Sequence, residues 1–319
     1  MRKSGFTIIE VLVTVSVISL LCAILLPAVQ RAREAARATQ CRNQIRQLAL
    51  ALHMYHDTHS VLPPGSQVQD LAAVESPFNF TKGYGWTVAI LPYIERNDLY
   101  NRFDFDLDCQ IHHRFLTKQQ IVVFVCPSDP VNSQPTFWNR QIVPGSFHGA
   151  WYRGDWGVTS YFGVSGTDRQ HFITQPSRCD SLSREPLTRG LHSGVFFGNS
   201  RTRFADICDG LSQTLLLGER GGVPQTGKWG GPGSGTSCPF GLTDVLLPGL
   251  ISGKDGEMGG LRVATGRRDD DIHWWSWHAS GTHFALADGS VRIVSTKIDR
   301  SVLRSLSDRC DGVVVGDGW

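Results

Sequence analysis

"KSGFTIIEVLVTVSVISLLCAILLPA" occupies residues 3–28, and its reading decides the fold. From Phe6 to Leu26 the chain is apolar for 21 residues except for Glu10, Thr and Ser. About 20 such residues span a bilayer as a helix. A cleaved secretory signal usually has a shorter apolar core, roughly 7–15 residues, followed closely by a small-x-small site. Ala36-Arg37-Ala38 has that form but lies well past the apolar core. A lipoprotein signal needs a small residue before Cys22, where Leu21 stands. A third reading cuts the chain between Gly5 and Phe6 and keeps the span. Glu10 is the residue to explain, because a carboxylate at membrane depth costs on the order of 2.5–3.5 kcal/mol without a partner. It either snorkels from the end of the span or meets a positive charge there.

The rest of the chain bounds the answer. Its 319 residues suffice for one large domain or two modest ones. Hydrophobic content of 41% and charged content of 19% are a globular balance. The 34 glycines and 15 prolines favour turns and short strands over a helical bundle. A net charge of +2 is too small to argue for nucleic acid as a partner. The eight cysteines form no CxxC pair, so neither a zinc site nor a thioredoxin-like motif is expected. Cys22 lies in the apolar run, and the other seven cannot all pair within the chain. One or two disulfides are compatible with a compartment outside the cytoplasm, with the pairing left open.

Past the span, Pro27 removes a backbone donor and is expected to kink the helix. Ala38, Cys41, Ile45, Leu48, Leu52 and Tyr55 then recur at spacings of three and four, an apolar seam for packing on a sheet. Arg31, Arg33, Arg37, Arg42 and Arg46 lie mostly off the seam. A helix from Phe6 to near Thr58 would be about 80 Å long, and Pro63-Pro64-Gly65 would stop it.

Strands are expected downstream. Residues 85–94 ("GWTVAILPYI") start as a buried strand, and "PYIERNDLYNRF" continues as a short helix. "IVVFVC" (121–126), "SGVFFG" (193–198) and "QTLLLGE" (213–219) read as core strands. "THFALADGSVRIVS" is the clearest hairpin, alternating on both sides of a type I′ turn at Asp288-Gly289. "DRSVLRSLSDRC" is a last short helix with Asp299 as its N-cap. Residues 221–237 form a glycine-rich loop without the Gly-Lys-Ser/Thr of a phosphate-binding loop.

Chemistry is sparse. His278, His273, Asp288 and the run Asp269-Asp270-Asp271 are the best candidates. Asp288-Gly289 reads as a turn, and His278 as a structural residue bonding loop backbone. Three adjacent aspartates cannot all face one calcium ion. Trp274, Trp275 and Trp277 offer a stacking surface if exposed, and core if not. No GxSxG elbow occurs. No enzyme activity, cofactor or metal is expected.

"GFTIIEVLV" resembles the leader and first mature residues of type IV pilins and type II secretion pseudopilins. In that family a basic leader ends in Gly, the next residue becomes the N-methylated mature start, and the fifth mature residue is Glu. Gly5, Phe6 and Glu10 fall on those positions, with Arg2 and Lys3 as the basic leader. The resemblance implies a prepilin peptidase and methylase as partner, and Glu10 pairing with the Phe6 amine of a neighbouring subunit. Further along, "LPYIERNDLY" (91–100), "VCPSDP" (125–130), "TSYFGVSGT" (159–167), "GVFFGNSRTRFADICDGLSQTLLLGER" (194–220) and "HASGTHFALADGSVRIVS" (278–295) resemble a planctomycete-rich prepilin-type family with a DUF1559 region. Its H-X9-DG signature falls here on His278, Asp288 and Gly289.

The resemblance implies an α+β, pilin-like fold: a long N-terminal helix packed on a globular domain rich in antiparallel strands. Residues 1–5 would be leader, 6–29 transmembrane, 30–60 the amphipathic continuation and 61–319 the extracytoplasmic domain. The protein would be a single-pass cytoplasmic-membrane subunit that self-associates through its helix, with its N-terminus cytoplasmic and its globular domain periplasmic or extracellular. The positive-inside rule argues the reverse orientation, because the arginines follow the span. The class of signal overrides it, since its peptidase cuts on the cytoplasmic side. The alternative is an anchored extracytoplasmic module that binds a glycan or solute.

Overall fold

The structure is a computed structural model. It describes residues 7–68, 83–106, 114–117, 119–129, 136–138, 154–156, 159–164, 166, 193–197, 199–220, 246–247, 262–263, 274–316 and 318–319. Helix α1 spans Ile8–His59, 52 residues, or about 78 Å at ~1.5 Å per residue. Thr7 caps it: the Thr7 hydroxyl accepts from the Glu10 amide, and the Glu10 carboxylate accepts from the Thr7 amide at 2.9 Å. The helix runs through Pro27 and ends at Ser60, whose left-handed backbone (φ 60°) turns its N–H onto His56 O.

Burial divides this helix sharply. Every residue from Thr7 to Arg33 is exposed, whereas Cys41, Gln44, Ile45, Leu48, Ala49, Ala51 and Leu52 are buried. The expected seam is present, with Ala38 and Tyr55 at its half-buried margins and all five arginines outside it. In the exposed part, Thr14 and Ser16 return their hydroxyls to Glu10 O and Leu12 O at 2.9 and 2.7 Å. Both hydroxyl donors are therefore satisfied within the helix.

The buried part of α1 lies on a five-stranded sheet. Short pairs β1 (Ser66–Val68) with β2 (Gly83–Gly85) and β3 (Thr136–Trp138) with β4 (Gly154–Trp156) precede it. The sheet strands are β5 (Tyr161–Val164), β6 (Leu215–Glu219), β7 (Leu246–Leu247), β10 (Thr282–Leu286) and β11 (Val291–Val294), in order β11-β10-β6-β5-β7. Pairing is antiparallel except for β7, which runs parallel to β5. β8 (Arg262–Val263) pairs separately with β9 (Trp275–Ser276). The architecture is α+β, a long N-terminal helix on a mainly antiparallel sheet.

A bulge sets which side chains face α1. Leu286 pairs with Leu215 and Ala285 with Leu217, so Leu216 is extra. Leu216, Leu217, Ala285, Ala287 and Tyr161 join the α1 seam, Trp86, Phe124 and Phe196 in one core. Phe162, Leu215, Phe284 and Leu286 face the other way, onto Trp274, Leu303 and Leu306. Gly218 lies on that second face, where a Cβ would meet the Trp274 ring at 2.3 Å. Only glycine lets this indole approach the strand.

Several expected strands form differently. Residues 86–89 are a helical turn, α2 (Trp86–Ala89), because helical spacing buries Trp86, Thr87, Val88 and Ile90 together. The following helix is broken in two by Glu95 in the left-handed region, into a 3-10 turn Leu91–Ile94 and α3 (Asn97–Tyr100). α4 (Arg114–Thr117) follows. "IVVFVC" is a 3-10 turn, Val122–Phe124: a three-residue period turns both Ile121 and Phe124 inward and leaves Val122 exposed. Residues 193–197 form no strand. Their backbone groups go instead to Val164 O, Thr202 Oγ1 and Arg309 N.

The hairpin is as expected, with a different turn. Gly289 N bonds Leu286 O, and Leu286 N bonds Ser290 O, both at 2.9 Å. Positive φ occurs at Gly289 (+82°) but not at Asp288. The loop is therefore a three-residue turn ending in a glycine bulge rather than type I′. The last helix, α5 (Arg300–Ser307), is capped by Asp299, which accepts from Ser301 N at 2.7 Å.

Candidate functional site

Two features stand apart from ordinary core packing. The first is the naked start of α1. It is long and apolar enough to cross a membrane, and none of its apolar window is buried. Glu10 Oε2 accepts from both the Thr7 amide and the Thr7 hydroxyl at 2.9 Å. The carboxylate is thereby held at the first turn, where the helix dipole favours negative charge. Gly5 and Phe6 lie outside the described residues.

The second is a buried polar cluster centred on His278, in the loop between β9 and β10. His278 Nδ1 lies 2.8 Å from Glu34 Oε1 on α1. Its Nε2 lies 3.3 Å from Cys126 Sγ and 3.5 Å from Glu219 Oε1. Glu219 Oε2 in turn lies 2.8 Å from His283 Nδ1. Ser128 Oγ donates to Glu34 Oε1 at 2.9 Å. Cys126 is disulfide-bonded to Cys41 on α1. His278, His283 and Glu219 are each 1% exposed, and Glu34 reaches partly into solvent.

The backbone explains this convergence. The 3-10 turn at 122–124 delivers Cys126 to α1. Alternation along β10 places His283 beside Ala285 on the α1 side. The bulge at Leu216 puts Glu219 on the same side. Tyr161 adds a neighbouring network: its hydroxyl donates to Gln44 Oε1 at 2.9 Å, and Gln44 Nε2 donates to Val122 O. Burial, then the charges of Glu219 and Asp129, push the Tyr161 phenol well above its ordinary range.

His278 is therefore no loop-backbone residue. Its ring bridges two carboxylates and a disulfide sulfur. Asp288 takes no part: it accepts from Ser290 N at 2.8 Å and shapes the turn at the far end of β10. Gly289 also comes close to α1, where a Cβ would stand 3.6 Å from His53 Nε2. The two ends of the His-X9-Asp-Gly spacing thus meet α1 at Glu34 and His53. These are 19 positions apart, or about 28 Å.

Trp274 and Trp275 are buried and form core, while Trp277 is half-buried with its ring 5.3 Å from that of Trp275. His273, Asp269, Asp270, Asp271 and the 221–237 loop lie outside the described residues. A second disulfide joins Cys208 to Cys310. Composition could not show the cluster, because its members come from α1, the stretch just after the 122–124 turn, β6, the β9–β10 loop and β10.

Residues 30–301 match the family described as "Protein of unknown function (DUF1559)". The chain belongs to the DUF1559 family. Residues 1–26 of this DUF1559 protein match the prokaryotic N-terminal methylation motif. Over 85 residues it is 31% identical to the type II secretion system core protein G of Pseudomonas aeruginosa. That alignment covers 27% of the DUF1559 chain and 59% of the relative. No solved structure matches. The methylation motif and the bare apolar helix make the DUF1559 protein membrane-anchored and pilin-like.

Proposed function

We propose that this protein is a pilin- or pseudopilin-like structural subunit. A prepilin peptidase cuts it after Gly5, the Phe6 amine is methylated, and copies assemble through the first half of α1. One observation carries the reading: α1 is exposed on all sides from Thr7 to Arg33 and docked on the sheet from Cys41 onward. Lipid and neighbouring helices are what such a segment can bury. Glu10 is the polar mark in that surface. Cleavage after Gly5 would free an amine one residue before Thr7, the residue that already holds the Glu10 carboxylate. The same amine on a neighbouring copy would be drawn to this carboxylate and fix the axial register of packed helices.

The disulfides support export of the globular part. Cys41–Cys126 and Cys208–Cys310 form and persist in oxidising compartments. They favour an extracytoplasmic domain with a cytoplasmic N-terminus, against the distribution of arginines.

Glu10→Gln tests the assembly contact. Glutamine also serves in a capping box, so the Thr7 cap survives while the charge is lost. The junction at Gly5-Phe6 is untouched, so processing should remain. Helix-to-helix crosslinking in the native membrane should fall several-fold. Equal crosslinking in wild type and variant, with both processed, would overturn the contact and favour an anchored binding module.

A further inference from the structure

We propose that Cys41, Cys126, His278 and Glu219 form a binding site for one zinc-class divalent ion, open when the Cys41–Cys126 disulfide is reduced. The ligand atoms of these four residues lie within 4.8 Å of one another, and all four residues are buried. Two thiolates, an imidazole and a carboxylate are a donor set that suits zinc in tetrahedral geometry.

The surrounding hydrogen bonds are those of a built site. A ligating histidine normally gives its other ring nitrogen to a carboxylate, which fixes the tautomer and aims the free lone pair. His278 has this arrangement, with Nδ1 on Glu34 at 2.8 Å and Nε2 facing Cys126 and Glu219. Glu219 is anchored likewise, with Oε2 on His283 and Oε1 turned to the cluster. Ser128 then holds Glu34. Each of the two non-sulfur ligands therefore has one atom fixed from behind and one atom presented. A disulfide alone does not require that preorganisation. One carboxylate and two imidazoles at 1% exposure, with half-exposed Glu34 beside them, need a function or a counter-charge. Partly exposed Glu34 marks the side from which an ion would enter.

Metal and disulfide exclude each other. Sulfurs bonded to each other carry no thiolate charge. Opening the disulfide takes two electrons and two protons from a dithiol, which leaves as its own disulfide. Binding the ion then displaces the two thiol protons. Exchange with an oxidising disulfide, which takes up the two electrons and two protons and leaves as two thiols, re-forms Cys41–Cys126 and releases the ion.

The test uses the full chain in detergent, reduced with a phosphine, freed of reductant without air and titrated with Co²⁺ alone. Reduced wild type should bind one equivalent with thiolate charge-transfer and tetrahedral visible bands, which Zn²⁺ then abolishes. Oxidised protein should show neither band. Cys208→Ser/Cys310→Ser should keep the bands. Glu34→Gln should keep the stoichiometry while weakening binding by about 10–100-fold, and His278→Gln should lose the tetrahedral spectrum. Absence of these bands in reduced, folded wild type would overturn the site. So would their survival in Cys41→Ser/Cys126→Ser, or a Glu34→Gln affinity equal to wild type.

Discussion

Leu20 and Leu48 are the same residue on the same helix, yet they should respond oppositely to truncation. Leu48 is 0% exposed and sits in the core between α1 and the sheet. Leu48→Ala removes buried methyl groups where rigid strands limit collapse, which costs roughly 3–4 kcal/mol. Leu20 is 62% exposed and touches no part of the sheet core. Its truncation should leave the globular part within about 0.5 kcal/mol of wild type. The assay is urea unfolding of detergent-solubilised protein, followed by the fluorescence of buried Trp86, Trp274 and Trp275. With a typical slope of about 2–3 kcal/mol per molar, Leu48→Ala should lower the midpoint by roughly 1–2 M. Leu20→Ala should leave it in place. Equal midpoints for the two variants would refute the division of α1 into a lipid-facing half and a docked half.

Two further outcomes follow from particular contacts. Gly289→Val should destabilise the protein by about 1–3 kcal/mol in the same assay, because a β-branched residue is strained at φ +82°; an unchanged midpoint would mean the turn relaxes. Tyr161→Phe leaves the buried Gln44 Oε1 without its 2.9 Å donor, a loss of roughly 1–3 kcal/mol. The Tyr161 phenol is raised in the folded protein, so its contribution is fully present below the ordinary value of about 10. It is lost as pH rises above that value, because the unfolded chain ionises first. Wild type should therefore lose more stability than Tyr161→Phe as pH rises past about 10, and parallel pH profiles would contradict this.

The sequence made the scaffold legible where one period dominated. The seam from Cys41 to Leu52 and the β10–β11 alternation each repeat a single spacing, and each forms; the apolar run is helical from Ile8 onward. Residues 86–89 and 121–126 misled because β-branched and aromatic composition does not separate a buried strand from a buried turn. Tertiary ties decided them: Val122 O accepts from Gln44, and Phe124 O accepts from Ser160 N. The His278 cluster was half legible. His278 stood out by spacing, but Glu34 is 244 residues away. Cys41 and Cys126 are 85 apart, so no local motif could join them. Glu219 gave a further signal, a carboxylate ending an otherwise apolar strand. The Leu216 bulge that aims it inward is not encoded in any short pattern.

Mass spectrometry of the N-terminus of the protein taken from its native membrane tests the central claim most directly. The account predicts a chain beginning at Phe6, its mass raised by one methyl group on the amine, with no trace of residues 1–5. A chain retaining the Met1-to-Gly5 leader, or one beginning near Thr39 without the apolar helix, would contradict it.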